Sequence, residues 1–296
     1  MMRANRIGRP AASAAFLGLL LAVAGQGPAS AEPHGIDTEH LFGFTEGSDI
    51  GVPGERELES ETTSRVGKRG GRFRAFDSGL ALKMPLTDWF RVAPGISFAA
   101  YDIGGVPGLA DRSVGTFSGA FVEARFRLLR RDAAPFGLTL NVVPSLGRID
   151  AGTGQRVRSY GSEFGLLVDR ELIPGLVVGA INLGYGLASV RSDAGGATAE
   201  GSNLEVAGAL AYQIQPGLFL GGEARYVRAY GGLALEDFAG DAVYLGPTLY
   251  TALSERAWLS FTWGRQVHGR AVGERGDLDL TTFDRHQLRL RIGYSF

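Results

Sequence analysis

From about residue 55 to the C-terminus the chain repeats one pattern. Apolar and polar residues alternate for about ten positions, a turn signal follows, and the alternation resumes. The last stretch, LRLRIGYSF at 288–296, is the clearest case. Leu288, Leu290, Ile292, Tyr294 and Phe296 fall on one face, and Arg289, Arg291, Gly293 and Ser295 on the other. The same reading predicts strands at 55–67, 72–84, 89–103, 115–129, 135–149, 159–171, 175–190, 202–214, 217–230, 241–253, 256–268 and 285–296.

The connections alternate in length. PLTD (85–88), RRDAA (130–134), LIPG (172–175), QPG (215–217) and SERA (254–257) are short. GGVPGLADRSV (104–114), AGTGQRVRS (151–159), SDAGGATAEG (192–201), GGLALEDFAGD (231–241) and AVGERGDLDLTTFDRH (271–286) are long and polar or glycine-rich. Only KRGG (68–71) is a short turn where the long series would start. Short turns at one end and long loops at the other predict an all-β fold. It is a transmembrane antiparallel β-barrel of about 12 strands, with short periplasmic turns and longer extracellular loops. A soluble β-sandwich also has many short strands. The long strands, the alternating loop lengths and the charges at strand centres argue against it.

Strand periodicity sorts side chains between lipid and lumen. The first strand places Leu58, Ser60, Thr62 and Val66 outward and Glu57, Glu59, Glu61, Thr63 and Arg65 inward. AFVEARFRLL places Ala120, Val122, Ala124, Phe126 and Leu128 outward. LFLGGEARYV places Leu218, Leu220, Ala224 and Tyr226 outward. An Arg or Lys at the lipid midplane costs about 2–4 kcal/mol, which drives charges inward. The candidate lumen and constriction residues are Glu59, Glu61, Arg91, Glu123, Arg125, Arg127, Glu163, Glu223, Arg225, Arg289 and Arg291. Asp77, Lys83, Asp169, Glu205 and His268 share that face. Closure would set the glutamates of the first strand beside Arg289 and Arg291. The lumen then holds either a charge-paired, rigid filling or a polar constriction that selects a solute.

The N-terminus carries Arg3, Arg6 and Arg9, an apolar run from Ala11 to Ala24, and Ala29-Ser30-Ala31. That is the layout of a secretory signal peptide, with cleavage expected at Ala29–Ala31. A membrane-anchoring helix is disfavoured, because the run falls short of about 20 residues. The chain then divides into a signal peptide (1–31), an N-terminal periplasmic or plug-like segment (32–54) and the barrel (55–296). HLFGFTEG (40–47) is too apolar for a solvated tail. It would fold into the barrel, lie across its periplasmic mouth or serve an assembly partner, unless it is simply a loose terminus.

Composition narrows the chemistry. Cysteine is absent, which excludes a disulfide framework or thiolate metal site. The balance of 30 basic and 31 acidic residues gives no reason to expect nucleic acid as a partner. Glycine, at 45 of 296, is about twice its usual share of ~7% and fits tight turns. No cofactor or metal is expected, and the protein is expected not to be an enzyme. Outside the leader the only histidines are His34, His40, His268 and His286. His34 and His40 fall in the lead-in, away from any wall, and His268 lacks a serine partner. His286 adjoins Asp284 and Arg285, where a salt link accounts for it. No G-x-S-x-G or H-E-x-x-H motif occurs. Glu236, Asp237, Asp241, Glu274, Asp277, Asp279 and Asp284 read as solvated loop acids, with hard-cation binding the alternative.

The terminal strand, with Leu288, Leu290, Ile292, Tyr294 and the final Phe296, resembles the assembly signal of bacterial outer-membrane β-barrel proteins. That resemblance implies export to the outer membrane of a Gram-negative bacterium. It further implies contact with outer-membrane lipid and lipopolysaccharide, and recognition of this strand by the barrel assembly machinery. The superfamily hosts many roles. The expected one is passive or substrate-selective passage of a small solute through a charged lumen. The alternatives are a non-conducting structural or adhesion barrel and, less favoured, a barrel hydrolase.

Overall fold

The computed structural model describes residues 36–296; the leader, with Ala29 and Ala31, and His34 lie outside the described residues. Twelve strands form: β1 (Glu57–Val66), β2 (Arg72–Thr87), β3 (Phe90–Gly104), β4 (Arg112–Leu129), β5 (Gly137–Ile149), β6 (Arg156–Ile173), β7 (Val177–Ser192), β8 (Thr198–Gln215), β9 (Leu218–Gly231), β10 (Phe238–Ala252), β11 (Ala257–Ala271) and β12 (His286–Ser295). Each pairs antiparallel with its sequence neighbours, and β1 pairs β12 to close the barrel. Closure runs from Glu57 opposite Ser295 to Val66 opposite His286. Without water to bond an open edge, only a closed sheet satisfies the backbone in lipid.

Several strands run further toward the long loops than side-chain alternation predicts. β7 reaches Ser192 and β8 begins at Thr198, leaving five residues between them. The signal fades there because both faces are polar, while backbone pairing continues. At the opposite end Gly175 and Gly217 adopt positive φ (68° and 76°), which lets the tight turns close.

The outer face is apolar. Phe76, Phe98, Tyr160, Ile181, Leu210 and Leu245 are all well exposed along the wall. So large an exposed apolar surface is a liability in water and suits lipid. One residue departs from the predicted phase. Val243 pairs with His268 but Tyr244 pairs with Gln266, a bulge that inserts Val267 as an extra residue. Val267 and His268 are therefore both exposed while Gln266 is buried, so His268 does not face the lumen.

Candidate functional site

Residues 36–55 enter the barrel from the short-turn end, rise to Phe44 and return, so that Ile36 and Asp49 both meet Arg131. Leu41 and Phe42 are buried against Val178, Ala180, Ala209, Ala211 and Phe219 of the wall. The backbone N–H groups of Gly43, Phe44 and Thr45 all donate to the Glu223 carboxylate, at 2.7, 3.0 and 2.8 Å. Successive amides aimed at one point form an anion nest, here filled by a wall residue. A Cβ at position 43 would overlap the Thr262 side chain, which explains the glycine. On the limb that returns from Phe44, Asn182 accepts from the Glu46 N–H (2.6 Å) and donates to the Glu46 carbonyl (2.8 Å). The Ser48 N–H and Thr38 hydroxyl both donate to Asp169, at 2.5 Å. Each buried N–H left without a partner costs about 1–3 kcal/mol. Glu223→Ala should therefore weaken docking of the segment by roughly 3 kcal/mol or more. Limited proteolysis checks this: cleavage within 36–55 should rise while the barrel stays intact.

The base of the segment sits in a buried ionic cluster. Lys83 Nζ lies 2.5 Å from Glu39 and 3.2 Å from Glu57, and also pairs with Glu59. Arg91 bridges Glu39 and Glu123. Arg291 holds Glu59 through two nitrogens (3.0 and 3.2 Å) and donates to the Phe42 carbonyl (3.1 Å). His40, expected away from any wall, stacks on Trp258 (4.0 Å between centroids). Its Nε2 lies 3.2 Å from Glu57, so this expectation fails because the segment turns inward. Glu39, His40, Glu57 and Glu59 present potential metal-ligand atoms within 4.8 Å of one another. Lys83 already supplies a cation among them, with Arg91 and Arg291 beside it, so the set does not fit an added divalent ion.

The two segment residues in this cluster titrate in opposite senses. Burial favours neutral Glu39, but Arg91 and Lys83 outweigh it and hold the carboxyl well below its ordinary 4.5. Burial likewise favours neutral His40, and Glu57 with Asp37 outweighs it, raising the imidazole well above 6.5. The Glu39 contribution is full above pH about 4.5 and is lost as pH falls through the lowered pKa. The His40 contribution is full below pH about 6.5 and is lost as pH rises through the raised pKa. Docking should be firmest between these values, hold through neutrality and loosen at strongly acid and alkaline pH. Protease accessibility of 36–55 against pH measures the profile, and His40→Gln should remove its alkaline limb.

Most of the candidate lumen residues gather on this segment or beside it. Arg125 pairs with Glu46 of the segment and with Glu123 (3.1 Å). Arg289 and Arg225 place guanidinium groups 4.5 and 4.0 Å from the Phe44 ring centroid. Arg289 also reaches Glu61 (3.3 Å), and Arg225 holds Glu205 (2.9 Å). Arg127 lines a small cavity at the short-turn mouth with Arg130 and Arg131. Glu163 is exposed and forms no ion pair among the described residues, standing in the open part of the lumen. Alternation did not single out Glu39, Glu46, Asn182 or Thr262. The apolar HLFGFTEG stretch was the one signal that the segment had a burial site.

Above Phe44 a cavity of about 490 Å³ remains, lined by Glu61, Arg65, Asp77, Tyr101, Arg225 and Arg289 among others. The β11–β12 loop packs at the long-loop end. There Asp284 pairs with Arg65 (3.5 Å) and Lys68 (3.6 Å), and Tyr244 donates to the Asp284 carbonyl (2.7 Å). Three of the loop acids are thus not solvated: Asp241, Asp279 and Asp284 are buried, paired or capping local amides. Glu236, Asp237 and Asp277 are exposed. His286 does not join Asp284. It lies on the outer face against Trp263, with ring nitrogens 3.3 Å apart, because Asp284 turns to the basic side chains of the first hairpin.

A closed twelve-stranded barrel, apolar outside and charged within, is the fold of outer-membrane channel barrels. This chain belongs to the family described as "Family of unknown function (DUF6662)", which matches residues 34–296. No curated protein matches it in sequence. Its fold is similar to that of an outer membrane channel from Pseudomonas putida F1, at 13% identity and TM-score 0.59. That match covers 84% of this chain and 98% of the other. It is also similar to the translocator domain of the autotransporter NalP from Neisseria meningitidis, at 12% identity and TM-score 0.50, covering 84% and 91%. At such identities the likeness shows the fold.

Proposed function

We propose that this protein is an outer-membrane channel for a small polar solute, closed at its periplasmic half by residues 36–55. The observation that carries the reading is the arrangement of segment and lumen. Phe44 forms the floor of an open, charged cavity, and the chain below it is bonded to the wall on several sides. Passage then requires the segment to shift or withdraw. Twelve strands enclose more space than the eight that side chains just fill, so a path opens once the segment moves. The charged, two-signed lining favours a polar or zwitterionic solute over an apolar one. The short turns face the periplasm, the leader directs export, and the strand ending at Phe296 is read by the assembly machinery.

A second reading has its own support. The density of ion pairs around Lys83, Arg91 and Arg291 suits a permanently closed structural barrel. Single-channel conductance in a planar bilayer separates the two. Brief openings of the intact protein, made long-lived when the segment is absent, support a gated channel. Silence with and without the segment leaves the structural barrel.

A further inference from the structure

The outer wall carries a row of arginines at the long-loop rim of β5 to β7. Arg148 is the penultimate residue of β5, Arg158 the third of β6 and Arg191 the penultimate of β7. Arg158 and Arg191 stand directly opposite each other across their strands. The Gly147–Ser159 pair sets Arg148 beside Arg158. Arg156, two residues before Arg158, is also exposed. Like charges directly opposite on a sheet destabilise it. Among the described residues the only carboxylate paired here is Asp193, 3.5 Å from Arg158, with both side chains well exposed. Glu200 lies diagonally on β8, opposite Ser189, but forms no ion pair with the row. Among the described residues Arg148, Arg156 and Arg191 make no ion pair.

Immediately toward the membrane centre the wall turns apolar. Leu146 and Tyr160 face each other across β5 and β6 and are 57% and 66% exposed. A repelling row of guanidinium groups above an exposed apolar surface calls for an amphiphile with anionic oxygens over hydrocarbon chains. Guanidinium forks match phosphate oxygens two at a time.

We propose that Arg148, Arg158 and Arg191 bind the phosphates of a multiply acylated, phosphorylated glycolipid of the outer leaflet, the chemistry of lipopolysaccharide. The acyl chains lie on Leu146 and Tyr160. The site rests on the reading that the barrel spans an outer membrane with its long loops outward.

The test titrates the folded protein in detergent with purified lipopolysaccharide and with the same lipid after dephosphorylation. The wild type should bind the phosphorylated form, with affinity that falls as salt rises. R148Q/R158Q/R191Q should bind about 100-fold more weakly, and R191Q alone about fivefold more weakly, on the scale of single arginines near an anionic surface. R170Q, altered at the opposite rim, should bind as the wild type does. Retained heat-modifiable gel mobility shows that a variant is folded, and R191Q decides the matter if the triple variant is not. Equal binding by the arginine variants, or of the dephosphorylated lipid, overturns the site while leaving the membrane reading intact. A chain that alkali extracts from outer membranes overturns both.

Discussion

Deleting residues 36–54 should turn a mostly closed barrel into a steadily conducting one, with mean current in a planar bilayer rising on the order of tenfold or more. The segment fills the short-turn half of the lumen, with Thr38, Phe42, Thr45 and Ile50 fully buried. Its removal uncovers Glu223, Asp169, Arg125 and Arg291, which then line a wet channel and exchange segment contacts for water. The wall itself should persist, because the β1–β12 seam from Glu57 to Val66 involves no residue of the deletion. Ion selectivity of the opened form would report the sign of the exposed ring, and Arg289→Gln should shift it toward cations. A deletion variant that folds yet passes no current would defeat the gated-channel reading.

Lys83→Met should be the most damaging single change in the lumen. One ammonium group serves Glu39, Glu57 and Glu59, all buried, and it also lies 5.8 Å from the Trp258 ring. Methionine keeps the length and apolar stem but leaves three carboxylates with less positive charge among them. Breaking a buried ion pair from one side costs about 3–5 kcal/mol, mostly from the charge left behind. Two effects are expected together: loss of thermal stability and release of the segment, seen as raised current and faster cleavage near Glu39. Adding Glu39→Gln to Lys83→Met should recover part of the loss, since it removes one stranded charge. The coupling of the pair is measured by the corresponding double-mutant cycle. If Lys83→Met leaves both stability and closure unchanged, the cluster is not what seats the segment.

Much of this architecture was legible in the chain itself. Strands and faces come from a local rule, since the side-chain period of two and the cost of a charge in lipid act on each residue separately. The pairing of Arg291 with Glu59, and of Arg289 with Glu61, could be anticipated from closure of the first strand on the last. His268 escaped the rule because one inserted residue, Val267, reverses the phase beyond it, and a bulge leaves no mark in the alternation. His286 escaped it because Asp284, its near neighbour in sequence, finds Arg65 and Lys68 in space.

The sequence by itself determined twelve strands, the outward apolar band, the inward charges and the ends at which short and long connections gather. Tertiary structure alone decided what those inward charges hold. The Gly43 amide meets Glu223 across 180 residues, and Thr38 meets Asp169 across 131. Such contacts have no local signature. They form only when a closed wall leaves an interior too wide for its own side chains, and a polar-backboned segment with a few apolar anchors enters to satisfy it.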